Sequence, residues 1–394
     1  MELEKITQFL ERKTVLVTGA TGFLAKVFLE KLLRVQPNVK KLYLLLRAAD
    51  TSSVNQRFYN EVIGKDLFRV VKEKLGANLN SIIAKKIAIV PGDVSYEDLG
   101  AKDSSLREEM INDLDFILNF AATTRFDERY DVALGTNTLG AKNVLCFAKN
   151  CLNFAAYVCG ESSGLIMEKP YQLGEALNGV LGLNIVEEKK LIDRKLNQLQ
   201  REGATEANIK KAMIDMGIER AKTYGWPNTY VFTKAMGEMI VGHSKENLPI
   251  VIVRPTMVTS TWREPFPGWI EGVRTIDALI VGYGSGKISF FVGDVTAIID
   301  VVLKLANTIS CDYFQGTYNN LNRKIKRVMR LVELYQPYLF FHGIFDDSNT
   351  NKLLGIAKDN GTETNNFFFD VKSIDWDDYF INTHIPSIVK YVLK

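Results

Sequence analysis

The sequence predicts an α/β protein in which a doubly wound parallel sheet with a helical insertion precedes a smaller, mainly helical C-terminal domain. Two patterns support the sheet. Short β-branched apolar runs alternate with longer helical patterns, and the first run passes through glycines directly into an amphipathic helix. The length of 394 residues exceeds the size at which one hydrophobic core usually stops growing, so a second domain is expected.

The first strand and helix occupy Thr14–Arg34, TVLVTGATGFLAKVFLEKLLR. Gly19 permits the tight turn off the strand, Gly22 lets the backbone approach a pyrophosphate, and Ala25 allows close packing of helix on strand. This pattern predicts a Rossmann dinucleotide site at the start of the helix. The predicted cofactor contacts of the loop are Thr18, Gly19, Thr21, Gly22, Phe23 and Leu24.

A linker at Val35–Lys40 leads to the second strand, Lys41–Leu46, which ends at Arg47. Folds that bind NAD often place an acidic residue there for the ribose 2′-hydroxyl, whereas a guanidinium can pair with a 2′-phosphate. Arg47 therefore favours NADPH as the cofactor. Two alternatives stay open: a solvated arginine at a strand end, and NAD held by Asp50.

The alternation continues with a helical crossover at Val54–Leu75 and a third strand at Lys86–Val90. Asp93, in the turn after that strand, is predicted to accept from the adenine amino group. The fourth strand is Asp115–Ala121, and small residues at its exit leave room for a nicotinamide ribose beside Ala121.

The next helix is predicted within Arg129–Asn150, and Leu152–Val158 is the candidate for the fifth strand. An insertion then spans Gly164–Gly225, with helices at Val186–Gln200 and Thr205–Thr223. Two interpretations of this insertion stay open: a cover over a long substrate at the carboxyl edge of the sheet, and a merely solvated excursion.

The segment Asn228–His243 carries Tyr230 and Lys234 four residues apart, which places both on one helical face. An ammonium close to a phenol stabilises the phenolate and brings the hydroxyl closer to useful acid-base strength. Tyr230 and Lys234 are therefore the predicted catalytic pair, and Lys234 is also expected to hold the nicotinamide ribose. Y-x-x-x-K is common alone, but after a TGxxGxxA opening it is typical of short-chain dehydrogenases.

Pro249–Arg254 is predicted to be a sixth strand, and Pro255 and Thr256 open a substrate-side loop before the aromatic stretch EPFPGWIEG. Further on, Arg323–Tyr335 predicts a helix with one apolar face and basic residues largely off it. That helix either packs on the main body or contacts a membrane surface or CoA phosphates.

Composition narrows the class of protein. The chain is 46% apolar and 24% charged with a net charge of +3, which is typical of a soluble protein without a strong attraction to nucleic acid. No signal peptide or transmembrane segment is evident, so the cytosolic side is expected. The cysteines lack metal-binding spacing, so we expect no metal site and four buried free thiols: Cys146, Cys151, Cys159 and Cys311.

Blocks along nearly the whole chain resemble the plant alcohol-forming fatty acyl-CoA reductases. They include VTGATGFLAKVFLEKLLR, AATTRFDERYD, GWPNTYVFTKAMGE and VIVRPTMVTST, while KIKRVMRLVELYQPY and SIDWDDYFINTHIP resemble the C-terminal domain of that family. The resemblance implies reduction of a long-chain fatty acyl-CoA to a primary alcohol through an aldehyde, with two NADPH, for wax, suberin or related lipid synthesis. It leaves open a peripheral contact with the endoplasmic reticulum membrane.

The resemblance also implies a division of the chain. Residues 1–290 would form the NADP-binding domain with its insertion, 291–322 a shortened connector, and 323–394 the fatty acyl-CoA reductase-type C-terminal domain. Gly19, Gly22 and Ala25 match the family's cofactor loop, and Tyr230 and Lys234 match its catalytic pair.

Two departures from the family pattern bear on activity. The family has a strand ending in a serine that helps to position the substrate carbonyl, whereas Phe154 stands there in this chain and most of the preceding strand is absent. The connector between Phe291 and Lys324 is also shorter. A catalytically silent nucleotide-binding relative therefore remains an alternative. Nucleotide-sugar epimerisation or dehydration suits the cofactor motif, but the fatty acyl family blocks oppose it.

Overall fold

The computed structural model describes residues 6–48, 50–151, 164–286, 338, 343–359, 367 and 370–393. A central sheet of four parallel strands has the order β3-β2-β1-β4. The strands are β1 (Thr14–Thr18), β2 (Lys41–Leu46), β3 (Ile87–Pro91) and β4 (Phe116–Asn119). This confirms the predicted α/β class with a parallel sheet.

The first strand is the centre of the sheet. Val17 pairs with Leu44 of β2 on one side and with Leu118 of β4 on the other. Every residue of β1 is buried, as its continuous apolar run predicts for a strand covered on both faces. Because parallel strands end at the same edge, the loops after all four strands converge there.

The described α-helices are numbered in chain order. They are α1 (Ile6–Leu10), α2 (Phe23–Val35), α3 (Thr51–Arg57), α4 (Arg69–Leu75), α5 (Asn78–Lys86), α6 (Ser104–Asp113), α7 (Tyr130–Ala133), α8 (Gly140–Lys149), α9 (Ile185–Arg201), α10 (Glu206–Thr223), α11 (Thr229–Ser244), α12 (Thr275–Gly284), α13 (Ser348–Asp359), α14 (Trp376–Asp378) and α15 (Ile385–Tyr391). Among these described helices, none is long and apolar enough to cross a bilayer.

Three π-helical segments, Phe58–Ile63, Leu134–Leu139 and Tyr379–His384, extend or join α-helices. The first of them divides the predicted crossover helix into α3 and α4, since Gly64 ends the π-helical turn with a hydrogen bond from its N–H to the Tyr59 carbonyl (2.7 Å).

The predicted sixth strand is wrong. Pro249–Arg254 forms no ladder with any residue that the structure describes, and Val251 and Val253 are 57% and 48% exposed. A strand requires a neighbour that supplies hydrogen bonds, and the described sheet ends at β4. Ile250 instead packs against the core cluster that contains Leu16.

Several sequence predictions lie outside the described residues: the fifth strand at Leu152–Val158, the connector at 291–322 and the basic helix at Arg323–Tyr335. The described C-terminal part contacts the main body at several places, of which two lie at opposite ends of it. The strand β5 (Gly164–Ile166) pairs in parallel with β6 (Gly343–Phe345). The Tyr391 hydroxyl, at the end of α15, donates to Asp66 Oδ2 (2.7 Å).

Two of the four cysteines are described. Cys151 is buried as predicted, and burial raises the pKa of its thiol to about 11. The prediction for Cys146 is wrong, because this residue is exposed. It lies on the solvent side of α8, where the exposed Lys142 and Lys149 are also found.

Candidate cofactor and catalytic site

The turn from β1 into α2 is built for close backbone approach. Gly19 has φ +64°, and a Cβ built there would lie 2.7 Å from the backbone nitrogen of Ala121. Only glycine therefore lets this turn lie against the exit of β4. Gly22 precedes α2 in an extended conformation, and among the described residues no side chain caps the helix. Its first N–H groups suit an anion such as a pyrophosphate.

The remaining loop residues have different surroundings. Thr18 is fully buried, and its hydroxyl donates to Asn119 Oδ1 (2.5 Å) and accepts from the Ala121 N–H (3.2 Å), which joins the ends of β1 and β4. Thr21 lies half-buried between the two glycines. Phe23 and Leu24 are the first two residues of α2 and are also half-buried.

Arg47 and Asp93 line one cleft of about 760 Å³ at the ends of β2 and β3, together with Tyr96 and Lys102. The Arg47 side chain is exposed, and its backbone carbonyl accepts from the Arg57 guanidinium. Asp93 accepts from the N–H and hydroxyl of a residue two positions on, at 2.9 and 2.8 Å. The structure therefore brings these two predicted residues together in a cleft large enough for a nucleoside.

Asp50, the residue that would favour NAD, also lines this cleft. Its carboxylate caps α3 by accepting from the Ser53 N–H (2.7 Å), and that hydrogen bond lowers the pKa of Asp50. The carboxylate is thus engaged with the helix, whereas the nearby Arg47 is an exposed residue that lines the cleft.

The predicted catalytic pair lies on α11, one helical turn apart. Asn228 caps this helix by accepting from the Val231 N–H (3.1 Å). Lys234 is only 6% exposed, and Tyr230 is half-buried. The ring of Phe126, from the segment after β4, lies 6.1 Å from the ring of Tyr230. The pair therefore lies beside the exit of β4.

Asn137 joins α11 to that exit, and the sequence reasoning missed it. Its side chain accepts from the Thr123 N–H (3.0 Å) and donates to the Thr123 carbonyl (3.1 Å) and the Thr233 hydroxyl (3.0 Å). Thr233 precedes Lys234 on α11. A buried asparagine within a helical pattern is the sequence signal that could have revealed this role, because asparagine is a poor residue for a helix interior.

The predicted site residues thus form two groups at one edge of the sheet. Gly19 and Ala121 are in contact, and the hydrogen bonds of Asn137 connect their neighbourhood to the helix of Tyr230 and Lys234. Arg47 and Asp93 form the other group, in the cleft further along the edge.

The insertion packs on α11, the helix of Tyr230 and Lys234, rather than standing in solvent. Glu188 of α9 is 1% exposed, accepts from the Tyr130 hydroxyl (2.8 Å) and pairs with Arg220 of α10. Burial raises the pKa of Tyr130 well above its usual value. A shared apolar cluster includes residues of α9, α10 and α11. The interpretation as a merely solvated excursion is therefore excluded for these two helices.

Tyr338, a described residue of the C-terminal part, lies at the same site. The Tyr338 hydroxyl accepts from Asn228 Nδ2 (2.8 Å), and its ring lies 5.1 Å from that of Phe126. Phe126 therefore lies against both Tyr230 and Tyr338.

Comparison with known proteins gives consistent matches along the chain. Two family models match, both described as male sterility protein: an NAD-binding model over residues 17–314 and a second over residues 296–394. The alcohol-forming fatty acyl-CoA reductase of Simmondsia chinensis is 45% identical, with 100% of both chains covered. Fatty acyl-CoA reductase 1 of Arabidopsis thaliana is 43% identical over 98% of this chain and 99% of its own.

The alignment with the Simmondsia protein is 491 positions long, while this chain has 394 residues, so that relative carries residues which this chain lacks. Among solved structures, a thiolation-reductase di-domain from an archaeal non-ribosomal peptide synthetase has a TM-score of 0.44 and 18% identity over 70% of this chain and 59% of that one.

Proposed function

The chain belongs to the family of plant alcohol-forming fatty acyl-CoA reductases, and we propose that it reduces long-chain fatty acyl-CoA to a primary alcohol through an aldehyde, with NADPH. The observation that carries the proposal is the link from the Gly19–Ala121 contact through Asn137 to the helix of Tyr230 and Lys234. This link supports the proposal that Tyr230 and Lys234 act as an acid-base pair next to a loop that binds the dinucleotide.

The choice of NADPH is supported by the cleft after β2. Arg47 offers an exposed guanidinium there, which can form two parallel hydrogen bonds with a phosphate. The competing carboxylate of Asp50 is engaged in capping α3. A 2′-phosphate therefore has a partner in this cleft, and Asp93 is proposed to accept from the adenine amino group.

The chain's own residues are proposed to transfer a proton to the substrate and to orient the cofactor. When bound, the reduced nicotinamide supplies a hydride for each of two reductions. In the first, the thioester loses CoA as a thiolate and becomes an aldehyde. In the second, Tyr230 donates its phenolic proton to the aldehyde oxygen, which yields the alcohol. Lys234 lowers the pKa of that phenol and holds the nicotinamide ribose.

The insertion and the C-terminal part are proposed to form the acyl side of the site. The helices α9 and α10 pack through Glu188 and Arg220 beside the helix that carries Tyr230, so they can cover a long chain at the carboxyl edge. We retain the division into 1–290, 291–322 and 323–394 as a proposal. A lipid substrate also favours peripheral contact with the cytosolic face of the endoplasmic reticulum.

The decisive experiment supplies the purified chain with NADPH and a long-chain acyl-CoA, and follows the loss of nicotinamide absorbance together with products by gas chromatography. We expect two NADPH consumed for each alcohol formed. Cofactor binding without any consumption would instead favour the silent relative, for which the replacement of the family serine by Phe154 is the supporting observation.

A further inference from the structure

A buried polar network joins the C-terminal part of the chain to the loop before α12 and to the first turn of α12 itself. His384 is fully buried, with Nε2 2.9 Å from Asp277 Oδ1 and Nδ1 3.1 Å from Ser260 Oγ. The Tyr379 hydroxyl donates to the Ser260 carbonyl (2.8 Å) and lies 2.9 Å from Ser260 Oγ. We call Ser260, Asp277, Tyr379 and His384 the His384 network.

The tautomer with its proton on Nε2 gives every member of this network a partner. Asp277 Oδ1 then accepts from His384, and Nδ1 accepts from the hydroxyl and the N–H (3.3 Å) of Ser260. The second oxygen of Asp277 accepts from the Arg274 N–H (3.1 Å) at the start of α12. Since Ser260 is 8% exposed and His384 0%, this serine, histidine and aspartate are sealed from substrate and act as a structural connection.

The segment held by this network also contacts the start of α2, the helix at the proposed cofactor site. We call residues 259–274 the aromatic loop. Its Trp269 stacks on the ring of Phe23 with centroids 4.8 Å apart and planes at 11°, and the Arg274 guanidinium lies 3.9 Å from the same ring. Phe23 is the first residue of α2, so both contacts bear on the turn whose N–H groups suit the pyrophosphate.

Ion pairs continue the contact along α2. Glu271 of the aromatic loop pairs with Lys26, whose side chain is only 2% exposed. Glu264 of the same loop pairs with Arg34 (2.7 Å) near the end of the helix. The aromatic loop therefore contacts α2 from its first to its last turn.

The geometry points to His384 as a positioning residue for the cofactor helix. Through Ser260 and Asp277 it holds the aromatic loop against Phe23 and Lys26, and so sets the affinity for the nicotinamide cofactor. This inference rests on the cofactor site assigned above to the start of α2. A coupling of this kind is reciprocal, so cofactor binding also tightens the docking of the C-terminal segment that carries His384.

The test measures cofactor binding directly, without acyl-CoA. NADPH is titrated calorimetrically into the full chain and into His384→Gln and Ser260→Ala. We expect the dissociation constant to rise at least about fivefold in both variants, since the competent position of α2 becomes only partly populated. Hydrogen exchange should quicken in peptides that cover the first turn of α2 and stay parental in those that cover α11.

Two controls separate this effect from loss of stability. His243→Gln changes an exposed histidine at the end of α11 and should leave the dissociation constant unchanged. Glu188→Gln weakens a different buried ion pair, with Arg220 in the insertion, and should lower the melting temperature without weakening NADPH binding.

The inference would be overturned if His384→Gln and Ser260→Ala fold and melt at a lower temperature but bind NADPH with parental affinity. It would also be overturned if Glu188→Gln weakened NADPH binding as much as they do. If His384→Gln does not fold, Ser260→Ala decides alone, because it retains the bond between His384 and Asp277. A parental chain that binds NADPH but reduces no acyl-CoA would contradict the proposed activity and leave this coupling standing.

Discussion

A single methyl group on Gly237 should disturb catalysis without touching any reacting group. Gly237 is buried on α11, where a built Cβ would lie 2.4 Å from the backbone carbonyl oxygen of Asn137. Ordinary contacts of this kind begin at 3.4 Å, so α11 and the π-helical segment must separate by about 1 Å. The neighbouring atom belongs to the backbone and has no rotamer through which to yield. In Gly237→Ala the helix that carries Tyr230 and Lys234 must therefore move.

Displacement of reacting groups by about 1 Å can lower a rate by about 10², and we expect a loss of that order in kcat for Gly237→Ala. Overpacking should lower the free energy of unfolding by about 1–3 kcal/mol, and the higher helix propensity of alanine should offset about 1 kcal/mol of that loss. Gly242→Ala on the same helix is the matched control, because its nearest neighbour would be Pro170 Cβ at 4.0 Å. That variant should keep its rate and gain about 0.5–1 kcal/mol in free energy of unfolding.

Single-turnover kinetics and urea unfolding measure both quantities. Parental kcat in Gly237→Ala, or equal losses in the two variants, would refute the argument from contact distance.

Three further predictions concern the cofactor, the proton donor and the altered strand. Arg47→Ala should narrow the preference for NADPH over NADH, as measured by titration with both cofactors; equal affinity of the unmodified chain for both would contradict the phosphate contact. Tyr230→Phe should bind NADPH but lose turnover, and a rate near the parental value would remove this phenol from the mechanism. The unmodified chain should form alcohol slowly, because loss of an oxyanion donor costs about 10² to 10³ in rate and Phe154 has no hydroxyl; no turnover at all is the outcome expected of the silent relative. Insertion of an apolar strand ending in serine ahead of Ala155 should raise the rate, whereas robust alcohol formation without it would show that another hydroxyl serves.

Elements governed by neighbouring residues could be predicted from the sequence. The apolar run of β1, the strand β2 at Lys41–Leu46 and the capped helices of the insertion lie where the pattern indicates, with shifts of a residue or two at their ends. Asn228 precedes α11 because its side chain can accept from an N–H within its own segment. The same local logic placed Tyr230 and Lys234 on one helical face.

Elements that depend on distant partners could not be predicted in this way. Pro249–Arg254 has strand composition, but a strand also requires a paired neighbour, which no local pattern encodes. The bonds of Asn137 to Thr123 and Thr233 span 14 and 96 positions. His384 meets Ser260 across 124 positions.

Sequence alone therefore determined the class of the sheet, the strand–turn–helix at Thr14–Val35 and the helix that carries Tyr230 and Lys234, because each is encoded by residues within a few helical turns or one strand. Only the tertiary structure decided what holds them in place. The sequence assigned no partner to the aromatic loop, whereas the structure shows that its Trp269 and Glu271 contact α2. Burial and complementary charge selected that surface, and both are properties of two segments brought together in the folded chain rather than of either segment.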